Sequence, residues 1–429
     1  MNHIRIVLIS DNLTRDYLSL AYVKEELERI HGVHVYIIGS VAEIQRIFYL
    51  LHKIQPHIVF ITQLLEKCFR DIAQYVRKSN GLVIVLPAEV TYSSSAALNI
   101  LNKNLTYDEL FELYLVPGDK MRQDIMKFNI QGKKLIKVGS PKMDLINKKW
   151  DTFMSRKNFS KKYQIPENRK NIFIFSTFIK TPEKYIQKDT AYIGSKKEFI
   201  RLSRNIDTLS NNYGDAISRL CKDYPEYNFI VKPHPLESND WYKGITDANF
   251  FVIPNEYIVN ILKSVDLAIH WYSTVAIECW IKGIKTIQYA PLKEFMPLLG
   301  EFHFGNPVVS SYSQLKRAIG LYADNPLEQK YTSFQKKYIN LWFGKLDGKC
   351  GMRIKSVIHN LIKNHSFTNI DYRRNYSLGV YALLGLEKMF GTVISRKIIS
   401  MIYPYNWKYA WKNAILVAPN TDGDNKNIF

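Results

Sequence analysis

The feature that most constrains the fold is a repeated alternation of short apolar segments with longer amphipathic ones. Six apolar segments occur in the first 145 residues, separated by stretches with helical periodicity, and a similar series starts near residue 171. Parallel strands need a crossover connection, usually a helix, and helices then cover both faces of their sheet. The sequence therefore predicts an α/β protein with two parallel sheets.

The alternation also predicts where each sheet and each domain begins. The first sheet is predicted from residues 4–10, 33–38, 57–62, 82–86, 113–116 and 135–138, and the second from residues 171–176, 228–232, 250–253, 267–269 and 286–289. Residues 146–170 are strongly polar, which is typical of a linker. We therefore predict α/β domains over residues 1–150 and 165–363, followed by a basic, aromatic extension over residues 364–429.

Charge and composition limit the classes of function. A formal net charge of +20 favours anionic partners. The lysines are spread along the chain and no nucleic-acid-binding motif occurs, so a phosphorylated substrate or an anionic membrane surface is favoured over nucleic acid. The sequence has neither an apolar run of about 18 residues nor the pattern of a signal peptide. A cytoplasmic protein, peripheral on the inner face of the membrane, is the expectation.

The first segment with chemical potential is Phe229-Ile-Val-Lys-Pro-His-Pro235, at the end of a predicted strand. Pro233 and Pro235 cannot donate to a strand ladder, so they end the strand and fix the direction of His234. A rigidly held ring that donates a hydrogen bond suits a phosphate oxygen, and Lys232 adds positive charge. A stiff turn with a solvated histidine is the alternative.

The second segment is Tyr272-Ser273-Thr274, where a predicted strand meets a helix. Ser273 or Thr274 would be the N-cap, and hydroxyls, free N–H groups and the helix dipole together receive phosphate well. Glu278, one turn later, is placed to accept both ribose hydroxyls. An ordinary capped helix is the alternative here. Taken together, the two segments predict a nucleotide site.

These segments resemble the C-terminal half of GT-B glycosyltransferases of bacterial surface-carbohydrate (capsule and lipopolysaccharide) biosynthesis, a group with Kdo transferases, sialyltransferases and CDP-glycerol glycerophosphotransferases. The resemblance also includes Lys137-Val-Gly-Ser-Pro-Lys-Met-Asp144 and Trp342-Phe-Gly-Lys-Leu-Asp-Gly348 with Arg353. It implies two Rossmann-like domains facing a cleft, with the donor phosphate at His234, Pro235, Ser273 and Thr274 and the ribose near Glu278. Lys232 and Tyr272, in the same two segments, complete the predicted donor site. His270-Trp271 stands where the glycerophosphotransferases have Asp, which disfavours that donor.

Transfer to a hydroxyl acceptor needs a base that removes its proton, or a nucleophile if configuration is retained. Glu89, after a strand of the first domain, is the first candidate, and Asp11 is the second; either carboxylate equally suits an ordinary turn. Lys180, Lys232 and Arg204 are candidates to offset the charge of the leaving group. No Asp-x-Asp follows an apolar strand, so neither a metal nor another cofactor is expected.

The main hypothesis is a glycosyltransferase that moves an ulosonic acid such as Kdo from a CMP-linked donor to a glycan or a lipid-linked glycan. The alternatives are a polyol-phosphate transferase of the CDP-glycerol type, an NDP-sugar 2-epimerase and a non-catalytic GT-B scaffold. Tyr and Trp near Lys and Arg in residues 372–411 suggest a helical extension that lies on a membrane. A helix packed on the first domain, or a partner-binding arm, would show the same pattern.

Overall fold

The computed structural model contains two compact α/β units, each built around its own parallel sheet. It describes residues 3–10, 13–39, 44–64, 67–88, 109–127, 134–148, 150–178, 200–201, 203–234, 237, 239–254, 256–271, 273–292, 301–367 and 370–372. The first unit holds the described residues up to 147 and from 343 onward, and the second unit holds those from 148 to 342. No helix in the described ranges is long and apolar enough to cross a membrane.

The first unit is built on a six-stranded sheet in the part of the chain that the structure describes. Its strands are β1 (Ile4–Ser10), β2 (Val33–Gly39), β3 (Ile58–Ile61), β4 (Leu82–Val85), β5 (Leu113–Val116) and β6 (Leu135–Lys137). They are parallel, in the order β2-β1-β3-β4-β5-β6. All residues of β3 and β4 are buried, because helices cover both faces of the central strands. The prediction of a parallel sheet, made from the alternation of apolar and helical segments, is confirmed.

The second unit has a sheet of the same size among its described residues. Its strands are β7 (Lys170–Phe175), β8 (Tyr227–Lys232), β9 (Phe250–Val252), β10 (Leu267–His270), β11 (Lys285–Tyr289) and β12 (Val308–Val309). The order is β12-β11-β10-β7-β8-β9, again parallel. Five of these strands are predicted by the sequence. The two-residue strand β12 is not, since it is too short to have a period.

Helices cover these sheets, and the closing helix packs within the first unit. The described α-helices are α1 (Leu13–Leu27), α2 (Ile44–Ile54), α3 (Lys67–Lys78), α4 (Asp119–Met126), α5 (Pro141–Lys148), α6 (Arg156–Tyr163), α7 (Ile206–Asp223), α8 (Ile258–Ile261), α9 (Val275–Ile281), α10 (Tyr312–Tyr322), α11 (Gln329–Phe343) and α12 (Cys350–Asn364). Cys350, Ile354 and Ile358 of α12 are buried in the core of the first unit. A Cβ at Gly351 would lie 2.7 Å from Glu26 Cγ, so this contact needs glycine.

The position of α12 differs from the predicted domain boundary, which assigned residues 165–363 to the second domain. An apolar helical face indicates that α12 is buried, but the periodicity does not indicate against which sheet. The partner is determined by contacts more than 200 residues away in the chain. Asp144 Oδ1 accepts the N–H of Gly348 at 2.6 Å, and Asp144 Oδ2 accepts the N–H of Cys350 at 2.6 Å.

Two further segments of the family resemblance, residues 137–144 and 342–348, therefore contact each other and stabilise the closing helix of the first unit. The Arg353 guanidinium donates to the Val138 carbonyl at 2.7 Å and pairs with Asp347 at 2.9 Å. Gly139 has a φ of +94°, and a Cβ there would lie 3.0 Å from that guanidinium. These residues have structural roles.

The first described residues of the C-terminal extension pack on the first unit. Tyr372 is wholly buried, and its hydroxyl donates to the Pro56 carbonyl at 3.0 Å. The hydroxyl of Tyr75 donates to the Tyr372 carbonyl at 3.1 Å. The extension predicted to be helical and membrane-associated covers residues 364–429, of which residues 373–429 lie outside the described residues, so its membrane association stays a prediction.

Candidate functional site

The two polar segments lie at the same edge of the second sheet. They follow β8 and β10, which are separated by β7 alone. Lys232 at the end of β8 and His270 at the end of β10 both pair with Phe175 of β7, so the three strands end at one level. With neighbouring strands about 4.8 Å apart, the two loops start roughly 10 Å from each other.

The strand order gives this edge a particular geometry. In sequence order within the unit, the sheet runs 3-2-1-4-5-6, which is the order of dinucleotide-binding sheets. The order reverses between β7 and β10, because successive strands are added first on one side of β7 and then on the other. Ligands of open α/β sheets bind in the crevice beyond the carboxyl ends at such a reversal. Both segments flank that crevice.

The His234 loop is held by a carboxylate that the sequence analysis does not single out. Glu237 accepts hydrogen bonds from Ser176 Oγ at 2.9 Å, from the Phe178 N–H at 3.1 Å and from the His234 N–H at 3.3 Å on one oxygen. Tyr242 donates to its other oxygen at 2.7 Å. Burial raises the pKa of Glu237, and these hydrogen bonds oppose that rise. Glu237 stands only three residues after His234, and this short spacing is the one signal that its sequence offers.

The Ser273–Thr274 pair precedes α9, as predicted. Ser273 Oγ accepts the Val275 N–H at 3.4 Å, and the Ser273 carbonyl accepts the Ala276 N–H at 3.1 Å. Ser273 is buried, whereas Thr274 is exposed and its side chain makes no capping hydrogen bond. Gly283 ends the helix with a φ of +70°, consistent with its predicted role at the C-terminus. Thr274 is therefore the hydroxyl of this pair that a ligand reaches without disturbing the cap.

Glu278 differs in its surroundings from a solvated ribose acceptor. The whole residue is buried on α9, one turn after the helix start. A ribose contact at Glu278 therefore requires α9 or the loop before it to shift. The proposed role of Glu278 stays a prediction.

Behind the crevice, His270 belongs to a buried polar network. His270 Nε2 lies 3.3 Å from Asn306 Oδ1, which also accepts from the Thr286 hydroxyl. Trp280 Nε1 in turn donates to Thr286 Oγ1 at 2.8 Å. Burial lowers the pKa of His270 to about 4, so its ring is neutral at pH 7. In the pair His270-Trp271, which departs from the expected Asp, the first residue is thus a neutral buried imidazole.

Several predicted residues lie outside the described part of the chain: Glu89, Asp11, Pro235, Tyr272 and Lys180. Their roles stay predictions. Arg204 is described and exposed. Lys232 Nζ donates to the Pro233 carbonyl at 3.3 Å, close to the His234 loop. The residues that the structure describes contain no group of three or more His, Cys, Asp or Glu side chains that would hold a metal ion.

Comparisons with known proteins agree with this arrangement. Residues 89–283 match the family described as CDP-Glycerol:Poly(glycerophosphate) glycerophosphotransferase, and this range contains both polar segments. No protein in the curated set of sequences matches the chain significantly.

Solved structures share the fold over most of the chain. MnaA of S. aureus with UDP has a TM-score of 0.57 and 12% identity, covering 84% of this chain and 97% of that one. UDP-GlcNAc 2-epimerase from Neisseria meningitidis, bound to UDP-GlcNAc, has a TM-score of 0.54 and 14% identity, covering 84% and 100%. A variant of the wall teichoic acid polymerase TagF has a TM-score of 0.56 and 11% identity, covering 85% and 90%. The chain therefore has a two-domain, GT-B-like α/β fold, as predicted.

Proposed function

We propose that this protein is a transferase that takes a polyol phosphate, of the glycerol phosphate type, from a cytidine diphosphate donor and adds it to a cell-surface polymer. One observation carries the proposal. The range that matches the glycerophosphotransferase family contains both segments that flank the reversal of strand order. The polyol-phosphate alternative thus takes precedence over a CMP-linked ulosonic acid, although His270-Trp271 departs from the family pattern.

The chemistry divides between groups that hold the donor and a group that removes a proton. The acceptor hydroxyl attacks the phosphorus that bears the polyol, the P–O bond to the CMP phosphate breaks, and CMP leaves with the electron pair. His234 and Lys232 offset the charge that develops on the leaving phosphate. The exposed Thr274 hydroxyl contacts the same phosphate, whereas the N–H groups of Val275, Ala276 and Ile277 already bond within the first turn of α9. Glu89 is the proposed base, with Asp11 as the second choice.

The proposal also includes an acceptor and a membrane surface. The acceptor is a glycan or a lipid-linked glycan at the inner face of the cytoplasmic membrane, and a net charge of +20 supports approach to an anionic surface. A CMP-linked ulosonic acid such as Kdo carries the same nucleoside and a negative charge. The test of function therefore includes it as a competing donor.

A transfer assay distinguishes the candidates. The purified protein is incubated with CDP-glycerol, CMP-Kdo or UDP-GlcNAc and a lipid-linked glycan acceptor, and the product is identified by mass spectrometry. The proposal expects addition of glycerol phosphate, with release of CMP, from CDP-glycerol alone. Addition of Kdo or epimerisation of UDP-GlcNAc would contradict it. Nucleotide binding without turnover of any donor would favour a scaffold.

A variant of the proposed base separates binding from chemistry. Glu89→Gln keeps the size of the side chain and removes its basicity, so it should retain stabilisation by CDP and lose transfer. Thermal unfolding with and without CDP measures the first property, and the transfer assay measures the second. Transfer at the wild-type rate would exclude Glu89 as the base.

A further inference from the structure

Glu237 is the meeting point of three chain segments at the carboxyl edge of the second sheet. Ser176 and Phe178 follow β7, His234 follows β8, and Tyr242 ends the turn Asn239–Tyr242. All four donate to the Glu237 carboxylate at 2.7–3.3 Å. The carboxylate thus joins the ends of β7 and β8, on one side of the reversal of strand order.

The hydrogen bonds fix the backbone around His234 from both directions. The His234 N–H donates to the Glu237 carboxylate, and the Glu237 N–H donates to the His234 carbonyl at 2.9 Å. Pro233, directly before, has a restricted φ. The peptide groups on both sides of the His234 Cα are therefore held, and only the side-chain torsions of this residue are left to its other neighbours.

The cost of burying this carboxylate indicates that it does more than fill space. Ser176, Phe178 and Tyr242 are between 1% and 3% exposed. An ionised group loses hydration in such surroundings and is retained only where hydrogen bonds replace that water. Two of its four donors are backbone N–H groups that no substitution elsewhere removes. One of these belongs to His234 itself.

We infer that Glu237 is a positioning residue, which holds His234 against the end of β7 so that the imidazole meets the donor phosphate. The inference rests on the proposed function, because it deepens the role of the same site. Glu237 acts through His234, because its four described hydrogen bonds all come from groups of the protein. No step of the transfer passes through its carboxylate.

We call the Glu237 carboxylate with its four hydrogen-bond donors the Glu237 clamp. Its chemistry predicts which replacement of Glu237 preserves it. In Glu237→Gln, the amide oxygen takes the place that accepts from Ser176, Phe178 and His234. The amide nitrogen then faces Tyr242, whose hydroxyl accepts as readily as it donates. Glu237→Ala removes every acceptor. The glutamine variant should therefore keep the His234 loop in place, and the alanine variant should release it.

Asn249 offers a matched control at the opposite edge of the same sheet. Its side-chain amide donates to the carbonyls of Cys221, Tyr224 and Tyr227 at 3.0–3.2 Å. Asn249→Ala removes three hydrogen bonds from the same unit, but it leaves the carboxyl edge intact. An effect that is shared by Asn249→Ala and Glu237→Ala comes from general loss of stability.

Calorimetric titration with CDP supplies the first test. Glu237→Ala should bind CDP about tenfold more weakly than the wild type, which corresponds to loss of about 1.4 kcal/mol of binding free energy. Glu237→Gln and Asn249→Ala should bind within about twofold of the wild type. Adding Glu237→Ala to His234→Ala should weaken binding no further, because both changes remove one interaction. Wild-type affinity in Glu237→Ala, or additive losses in the double variant, would overturn the inference.

A second measurement does not depend on the nucleotide. The ring resonances of His234 in histidine-labelled protein, assigned with His234→Ala, should shift or broaden in Glu237→Ala and stay in place in Glu237→Gln and Asn249→Ala. If the wild type binds no CDP while this pattern appears, the proposed function fails and the positioning role stands. Unchanged resonances in Glu237→Ala would refute the positioning role. If Glu237→Ala does not fold, Tyr242→Phe removes one partner and should give the same resonance shift in weaker form.

Discussion

Asp144 in the first unit and Glu237 in the second are both carboxylates that accept backbone N–H groups beyond the end of a parallel strand, yet they hold different kinds of structure. Asp144 binds the N–H groups of Gly348 and Cys350, which start the closing helix of its own unit. Glu237 binds a segment that contains His234, a candidate ligand of phosphate. Burial raises the pKa of both groups. A buried carboxylate at a sheet edge is therefore not in itself a functional signal, and the residue it holds decides its meaning.

The largest expected effect on stability comes from replacing Asp144, the carboxylate with the structural role. Asp144→Ala leaves the buried N–H of Cys350 and the partly buried N–H of Gly348 without this acceptor, and a buried group without a partner costs about 1–3 kcal/mol. We expect the free energy of unfolding to fall by about 4 kcal/mol, measured by urea denaturation. The more exposed Asp347→Asn should cost less than half as much. Weaker CDP binding by folded Asp144→Ala would break the distinction between the two carboxylates.

The next largest effect is a loss of stability at acid pH. One buried histidine in each unit contributes to it. Burial lowers the pKa of His57 in the first unit, and of His270 in the second, from 6.5 to about 4. As the pH falls from 6.5 to 4, the unfolded chain binds these protons before the folded protein does, so stability present above pH 6.5 is lost. Each histidine should remove about 3 kcal/mol over this interval.

Single replacements assign this loss to the two units. Urea denaturation at several pH values should show a smaller acid-induced loss in His57→Gln and in His270→Asn than in the wild type. The two reductions should be similar. An unchanged slope in either variant would mean that the corresponding imidazole is not held neutral by burial.

A smaller effect compares two glycines with positive φ, one after a strand of the first unit and one after a helix of the second. Gly139 and Gly283 both have positive φ, at +94° and +70°. A Cβ at Gly139 would approach the Arg353 guanidinium at 3.0 Å, whereas a Cβ at Gly283 would meet nothing within 4 Å. Gly283→Ala should cost about 1 kcal/mol from backbone strain alone, and Gly139→Ala about 2 kcal/mol. Equal losses in urea denaturation would show that Arg353 moves aside without cost.

The sequence predicts the two sheets well because each long strand is rich in apolar residues and lies between helical segments. It also predicts that the His234 and Ser273 segments follow strands, and the parallel order places their ends at one edge. Both inferences depend on local patterns, which a single sequence carries in full.

The clamp at Glu237 and the closing helix could not be predicted in the same way. Ser176 and Phe178 meet Glu237 from about 60 residues away, and Asp144 meets Cys350 from 206 residues away. These pairings depend on the order of strands and on the return of the chain to the first sheet, which no local pattern encodes. The complete burial of Glu278 likewise follows from packing around α9 rather than from its spacing to Ser273.

Replacing His234 should have the smallest effect on stability and the largest effect on CDP binding. Comparing these two effects is the most direct test of a nucleotide site at the carboxyl edge of the second sheet. His234 is partly exposed, so His234→Ala should change the free energy of unfolding by no more than about 0.5 kcal/mol. Calorimetric titration should show that the wild type binds CDP and that His234→Ala binds it at least about tenfold more weakly, through loss of one hydrogen bond to a charged phosphate. Equal affinity in the two proteins, or no CDP binding by the wild type, would contradict a nucleotide site at the carboxyl edge of the second sheet.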